Sequence, residues 1–430
     1  MAVVRKLVWL LLLLPLQAQA VLEIKITGGT EGALPIAVVP FSWQGPAQPP
    51  VEVAGVVSAD LARSGRFDPL PENEMMARPD AARDVNYQNW RALGTESLVV
   101  GRVRPAGANR YTIEFQLLDV FQQSQMTGHS LTVRADALRG AAHRIADIVY
   151  EAILGERGAF NTRIAYVTES APAQGESLFR LQVADTDGHN PHTILESKEP
   201  LMSPAWSPDS RRVAYVSFEN QQPEIFVQEL ATGHREKVAS FDGINGAPSW
   251  SPDGRHLALT LSKDGNPEIY VLDVESGDLR RMTRNRAIDT EAVWAPDGES
   301  LFFTSDRSGS PQVYRAKLSG ERPRRQTFEG AYNARPAISP DGKHLAMVHG
   351  QGGRYRVALM NLDSGSMRIL TDGRLDESPS FAPNGSMILY AAEQGGRSVL
   401  SAVSVEGGAG QDLTLQAGDV RDPAWSSFRD

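Results

Sequence analysis

The second half of the chain consists of short runs of alternating apolar and polar residues, separated by turns rich in Gly, Pro and Asp. In the clearest run, PSWSPDGRHLALT at residues 248–260, an aromatic residue precedes a Ser-Pro-Asp-Gly turn and an alternating strand follows. Related segments begin at residues 204, 292, 336, 379 and 423, so successive copies lie 43 or 44 residues apart. This constant spacing indicates a repeat architecture. The third residues of the copies are Trp206, Trp250, Trp294, Ile338, Phe381 and Trp425.

Each repeat predicts four strands, and repeats of about 40 to 45 residues with four strands are typical of β-propeller blades. The segments at Arg163, Ser177 and His192 predict second, third and fourth strands that lack a first strand. The copy at Pro423 supplies only a first strand. We therefore expect residues 423–426 to pair beside residues 163–170 and to close an all-β, six-bladed propeller with WD40-like repeats over residues 163–430.

Residues 34–155 show a different pattern. A buried strand at Ile36 and a helical stretch from Val51 precede two alternating segments, of which the second places Tyr111, Ile113, Phe115 and Leu117 on one face. An amphipathic helix follows and ends at Gly155. This pattern predicts a small α/β or α+β domain, of which we take the α/β form, with a sheet that is covered by the helix on one face. A linker at residues 156–162 joins it to the propeller.

Residues 1–20 have the pattern of a secretory signal peptide: a basic start, a short apolar run and an A-x-A ending that predicts cleavage after Ala20. Residues 21–33 would then form a flexible leader. Two interpretations of the leader remain open: an edge strand or frayed terminus of this protein, or a strand that adds to the sheet of another protein. Its apolar positions and its glycines suit both. The leader residues with strand character are Val21, Leu22, Glu23, Ile24, Lys25 and Ile26.

Composition narrows the class of partner. The formal net charge of −9 disfavours a nucleic-acid partner, and no second hydrophobic stretch suggests direct membrane insertion. The chain has no cysteine, so it has no disulfide, thiol nucleophile or thiolate metal site. With the signal peptide, these features favour the bacterial periplasm, and we expect a monomer.

Motifs for catalysis are not evident in the sequence. The histidines show no metal-ligand spacing, and we find no nucleophile elbow, P-loop or dinucleotide-binding motif. The aspartates of the Ser-Pro-Asp-Gly segments are explained as turn residues, and the repeated tryptophans as core between blades. We therefore expect no catalytic, cofactor-binding or metal-binding residues.

The segments before the six first strands differ in sequence while the strands repeat, as expected for a rigid scaffold that carries variable binding loops. They occupy one phase of the repeat, so the propeller must gather them at one end of its channel. They mix apolar residues such as Ile244 and Ile288 with carboxylates such as Glu291. An apolar centre with charged surroundings suits a protein partner.

The signal peptide, the small α/β domain, the junction GAFNTRIAYV at residue 158, the WSPDG-type repeats and SDRSGSPQVY at residue 305 together resemble the TolB family of the Tol–Pal system. The resemblance covers essentially the whole chain after residue 20. It implies a non-catalytic periplasmic adaptor that supports outer-membrane invagination at division and outer-membrane integrity. It also implies binding of the lipoprotein Pal at the propeller mouth and of the C-terminal domain of TolA through the leader, with some colicins using the same mouth.

Carried onto this chain, the resemblance and the loop argument together predict eight residues that face Pal. A periplasmic hydrolase and a glycan-binding propeller remain as alternatives. The eight predicted residues are Leu201, Met202, Ile244, Ala247, Thr290, Glu291, Asn333 and Arg335.

Overall fold

The computed structural model describes residues 25–27, 32–46, 48–170, 177–407, 410–413 and 418–429. The predicted signal peptide and leader residues 21–24 lie outside the described residues. The described chain forms an α/β domain followed by a six-bladed β-propeller, which confirms the predicted fold class. Within those ranges, no helix is both long and apolar enough to cross a bilayer.

The first described strand, β1 (Lys25–Thr27), does not join the sheet of the α/β domain. It pairs antiparallel with the propeller, in the register Lys25 with Asp412, Ile26 with Gln411 and Thr27 with Gly410. This part of the leader therefore lies as an additional strand at the edge of a blade, which corresponds to the edge-strand interpretation.

The α/β domain has one mixed sheet in the order β4-β2-β5-β6-β7, with β3 paired to β5. Its strands are β2 (Leu34–Val38), β3 (Ser42–Trp43), β4 (Phe67–Pro69), β5 (Ser97–Pro105), β6 (Arg110–Asp119) and β7 (Ser124–Arg134). Its helices are α1 (Val53–Arg63), α2 (Tyr87–Ala92) and α3 (Leu138–Leu154), with short 3-10 segments at Glu72–Glu74, Ala82–Asp84 and Ala135–Ala137.

Helix α3 covers one face of this sheet, as the sequence predicts. Its buried residues recur at helical spacing and pack with α1 against Ile113, Phe115 and Leu117 of β6. The helix ends where Gly155 adopts the left-handed conformation at φ 76°, which costs glycine little. Phe160, from the predicted linker, also packs into this core, with its ring 5.7 Å from that of Tyr150.

The propeller consists of antiparallel four-stranded sheets. The first three blades use β8 (Arg163–Ser170), β9 (Leu178–Asp185), β10 (His192–Ser197), β11 (Leu201–Trp206), β12 (Arg212–Ser217), β13 (Glu224–Glu229), β14 (Arg235–Ala239), β15 (Asn245–Trp250), β16 (His256–Leu261), β17 (Glu268–Asp273) and β18 (Leu279–Arg281).

The remaining strands are β19 (Asp289–Trp294), β20 (Ser300–Ser305), β21 (Gln312–Lys317), β22 (Arg324–Arg325), β23 (Tyr332–Ile338), β24 (His344–Gln351), β25 (Arg354–Asn361), β26 (Met367–Ile369), β27 (Asp376–Phe381), β28 (Met387–Gln394), β29 (Arg397–Ser404), β30 (Gly410–Leu413) and β31 (Asp419–Trp425).

Strand β31 closes the propeller. It pairs antiparallel with β8, placing Val420 opposite Thr168 and Trp425 opposite Ile164, so it completes the sheet of β8, β9 and β10. The first blade is therefore built from two distant parts of the chain. Because β31 pairs with β8, the inner edge of β8 is covered and the first blade has four strands like the others.

The repeated aromatic residues lie between blades. Trp250, on β15, packs against Ala214 and Val216 of the preceding blade, and Trp206 and Trp294 occupy the equivalent positions in other clusters. The turn aspartates also behave as predicted. In one turn, Asp209 accepts a hydrogen bond from the Arg211 backbone N–H at 3.0 Å, which fixes the reversal.

Candidate partner-binding site at the channel mouth

The first strands of the six blades contact one another around the central channel. A cavity of about 740 Å³ runs along them and is lined by residues from all six. The predicted residues Met202, Ile244, Ala247, Thr290, Glu291 and Arg335 all line this cavity. The structure therefore brings six of the eight predicted mouth residues together.

The outer part of this region, which we call the mouth, carries exposed apolar side chains. Met202, Ile244 and Ile288 are 39%, 46% and 49% exposed, whereas most large apolar side chains of the blades are buried. Leu375 and Tyr355 are also exposed, and the Tyr355 ring makes an edge contact with Tyr332. Exposed apolar side chains clustered around a rigid opening are typical of a protein-binding surface.

The loops that carry the two isoleucines are held in place. The Ile244 backbone N–H donates to Ser262 Oγ at 2.7 Å, and the Ile288 N–H donates to Asp306 Oδ1 at 2.8 Å. Gly243, at φ 83°, allows the first loop to approach Ser262 closely. A fixed loop loses less conformational entropy when a partner binds.

Below the mouth, each inner strand contains a bulge at the same position. At this bulge, one non-glycine residue of each inner strand adopts the left-handed conformation, with φ between 46° and 57°. The strand register shifts at each of these points. Such a conformation costs roughly 1 kcal/mol or more per residue and is concentrated at functional sites. We call these six residues the ring: Ser203, Ala247, Glu291, Arg335, Ser378 and Asp422.

Asp422, on the closing strand, is the centre of the ring's hydrogen bonds. Its carboxylate accepts from the Ser203 backbone N–H at 3.0 Å, from Ser378 Oγ at 3.0 Å and from Arg335 Nη1 at 2.7 Å. Arg335 also pairs with Glu291, at 3.2 Å between Nε and Oε1. The ring thus links five blades across the channel.

The charges of the ring stabilise one another. Burial alone would raise the pKa of Asp422, but Arg335 and the Ser203 N–H hold that pKa below its usual value. Burial alone would lower the pKa of Arg335, but Asp422 and Glu291 raise it. Arg335 and Asp422 are therefore both charged at neutral pH.

Two predicted contact residues lie below the surface. Leu201 is 2% exposed and packs in the hydrophobic cluster between the first two blades. Asn333 is fully buried and donates to Gln312 Oε1 at 2.9 Å and to the Glu329 carbonyl at 2.7 Å. Their burial makes them supports of the mouth loops, and the prediction that they face a partner does not fit their position.

Sequence reasoning missed half of the ring, namely Ser203, Ser378 and Asp422. A signal for them exists, because each ring residue lies three positions before the repeated aromatic or apolar residue of its blade. Of the predicted leader residues, Lys25 and Ile26 belong to β1, and Val21, Leu22, Glu23 and Ile24 lie outside the described residues, as does Ala20.

These observations define a class, a six-bladed β-propeller preceded by a small α/β domain, with a candidate binding surface at one end of the channel. Comparison with known families assigns the TolB beta propeller domain to residues 150–429 and the TolB amino-terminal domain to residues 22–126. The chain belongs to the TolB family.

Full-length relatives carry the name Tol-Pal system protein TolB. The protein from Thioalkalivibrio sulfidiphilus is 59% identical over 429 residues, which cover 99% of this chain and 98% of the relative. The protein from Nitrosococcus oceani is 61% identical over 407 residues, or 95% and 94% of the two chains. The crystal structure of TolB from Acinetobacter baumannii is 42% identical, covers 95% of this chain and all of its own, and superposes with a TM-score of 0.88.

Proposed function

We propose that this protein is a non-catalytic periplasmic adaptor of the Tol–Pal system. It binds the lipoprotein Pal at the mouth and the C-terminal domain of TolA through its leader. In this role it supports invagination of the outer membrane during division and the integrity of that membrane. The family assignment gives the system, and the partners and sites are our proposal.

The observation that carries the Pal site is the combination of apolar and fixed polar groups at the mouth. Met202, Ile244 and Ile288 offer apolar surface at the opening, and the loops of the two isoleucines are held by hydrogen bonds. The ring beneath them presents charges that are already paired. A partner that inserts an apolar surface here would displace water without unpairing a buried charge.

The leader site is supported by the pairing of β1. Three residues of backbone pairing hold this strand on the blade edge. A strand of this length is marginal by itself, so the edge of a partner's sheet can compete for it. The same residues would then add a strand to TolA.

Calorimetric titration with the soluble domain of Pal tests the mouth. We expect the chain from Val21 to Asp430 to bind, and the Ile244→Asp, Ile288→Asp double variant to lose affinity by roughly 10-fold or more, because a carboxylate would be desolvated at the centre of the contact. Both side chains are about half exposed, so the fold should tolerate the changes.

The matched control is Phe121→Asp, which alters an exposed apolar residue of the α/β domain and should leave Pal binding unchanged. A chain beginning at Leu34 should bind Pal and fail to bind TolA. Equal affinity of the folded double variant, or no binding by the folded parent chain, would contradict the proposed site.

A further inference from the structure

A cluster of charged residues is buried where the α/β domain meets the propeller. We call it the interface cluster: Asp60 and Arg63 on α1, Arg139 and His143 on α3, and Asp187 in the turn after β9. Asp60, His143 and Asp187 are 1%, 1% and 2% exposed. Burial of this many charged groups is costly unless each one is paired, so the pairing within the cluster determines its stability.

The two carboxylates are each paired with an arginine. Arg63 Nη2 lies 2.6 Å from Asp60 Oδ1, within the α/β domain, and it also donates to Thr186 Oγ1 of the propeller at 3.3 Å. Arg139 pairs with Asp187 across the domain boundary. Each carboxylate already has the positive charge of an arginine beside it, which disfavours binding of a metal cation. We therefore treat the cluster as an ion-pair network.

His143 lies between the two carboxylates. Its Nδ1 is 2.6 Å from Asp60 Oδ2, and its Nε2 is 3.7 Å from Asp187 Oδ2 and has no hydrogen-bond partner among the described residues. If the imidazole is neutral and donates from Nδ1 to Asp60, the lone pair of Nε2 faces the carboxylate of Asp187, which is unfavourable. Protonation places an N–H on Nε2 and turns this contact into an attraction between the two domains.

The groups around His143 favour the proton. Burial alone would lower the pKa of His143, but Asp60 and Asp187 more than offset it and raise the pKa, although Arg63 opposes them. Arg139 pairs with Asp187, so it lies on the Nε2 side of the His143 imidazole. His189 has its pKa lowered by burial and by Arg139, so it is neutral at pH 7.

Asp147 is the remaining titratable group near the cluster. Burial raises the pKa of its carboxyl to about 6, although it accepts hydrogen bonds from the Phe160 and Asn161 backbone N–H groups. Its proton is therefore lost as the pH rises through about 6. Any test of His143 must separate the two groups.

A groove of about 1310 Å³ runs between α3 and the first blade, lined by residues such as Arg144 and Glu151 on one side and Asp185 and His192 on the other. This part of the boundary is open, so the buried contacts between the domains lie at the interface cluster and around Phe160, where the Thr186 hydroxyl donates to the Phe160 carbonyl at 2.8 Å.

From this geometry we propose that His143 is a proton-operated latch between the α/β domain and the propeller. With the imidazolium between Asp60 and Asp187, the domains are locked together. Loss of the proton as pH rises releases this contact and lets the domains change their relative orientation. The inference does not depend on the identity of the partners.

The test uses the absence of cysteine in the chain. Ala152→Cys and His192→Cys place spin labels on opposite walls of the groove. Distance distributions are measured by electron–electron double resonance at pH 5.5 and pH 8.5 in the latch-intact protein, in His143→Asn, and in His256→Asn. His256, the control, also lies 3.6 Å from two carboxylates but on a blade surface.

We expect a narrow distribution at pH 5.5 that broadens at pH 8.5 in the intact protein and in His256→Asn, and a broad distribution at both pH values in His143→Asn. The asparagine amide keeps the donor to Asp60 but carries no charge and does not reach Asp187. An unchanged distribution in the intact protein, or the same pH dependence in His143→Asn, would overturn the proposal; the second result would assign the effect to Asp147.

If His143→Asn does not fold, histidine NMR titration of the intact protein decides. We expect one imidazole to titrate above the usual pKa of histidine, and Asp187→Asn to lower that pKa because it removes the carboxylate beyond Nε2. The absence of such a resonance, or one insensitive to Asp187→Asn, would exclude the latch.

Discussion

The ring below the mouth and the interface cluster are both networks of ion pairs, but they are built differently. The ring takes one residue from each of six equivalent strands, and its centre is Asp422, whose pKa is lowered. The interface cluster takes residues from two domains, and its centre is His143, whose pKa is raised. The ring forms because six blades repeat the same inner strand, and the interface cluster forms because the two domains pack against each other.

The two central residues, Asp422 and His143, therefore respond to pH in opposite directions. A lowered carboxyl pKa gives stability that is present above the unfolded value, about 3.9, and is lost as pH falls through the folded value. A raised histidine pKa gives stability that is present below about 6.5 and is lost as pH rises through the folded value. The contribution of Asp422 to the ring is lost as the pH falls below about 3.9, and the contribution of His143 to the interface cluster is lost as the pH rises above about 6.5.

Removal of residues 419–430 breaks the ring and leaves the interface cluster intact. The truncated chain loses the pairing of β31 with β8, the buried side chain of Val420 and the carboxylate of Asp422. We expect a loss of about 5 kcal/mol and a fall in melting temperature of roughly 10 °C or more, measured by calorimetry. An unchanged melting curve would show that β31 does not close the propeller.

Asp422→Ala removes only the centre of the ring. Arg335 keeps Glu291 but loses its other carboxylate, and the Ser203 N–H and Ser378 Oγ lose their acceptor. We expect a loss of about 3 kcal/mol at pH 7 in urea unfolding. The difference from the parent should shrink as the pH falls below about 4, because the carboxyl of the unfolded parent then binds a proton while the folded carboxyl still resists it.

Arg421→Ala is the control for Asp422→Ala. Its side chain is 58% exposed and pairs with Glu169 at the surface, so its loss should change stability by less than about 1 kcal/mol. Equal effects of the two substitutions would mean that the ring does not depend on the Asp422 carboxylate.

Repetition also explains what the sequence could predict. The spacing of the aromatic residues predicts six blades, and the common phase of the loops predicts that Ile244 and Glu291 approach the same cavity. The left-handed conformation of the ring was not predicted, because Ser, Ala, Glu, Arg and Asp occur there and none of them requires it. Leu201 was misplaced because burial of a strand's first residue depends on the neighbouring blade.

No pattern in the sequence predicts the interface cluster. Asp60 and His143 are 83 residues apart, and Asp187 lies in another domain. On α1 and α3 these residues fall on the buried side of amphipathic helices, where the apolar pattern predicts packing and says nothing of ion pairs. Only the docking of the two domains places the three side chains together.

Asp147→Asn separates the pH dependence of Asp147 from that of His143 at the domain interface. The carboxyl binds its proton more tightly when folded, so the parent loses stability as pH rises from about 4 to about 6, by on the order of 2 kcal/mol. The amide does not ionise. We therefore expect urea unfolding of Asp147→Asn to vary less between pH 4.5 and pH 6.5, while the loss above pH 6.5 that belongs to His143 remains. If the stability of Asp147→Asn is independent of pH in both ranges, Asp147 and His143 titrate as one unit. If its stability follows the same pH profile as the parent, Asp147 does not contribute to the pH dependence.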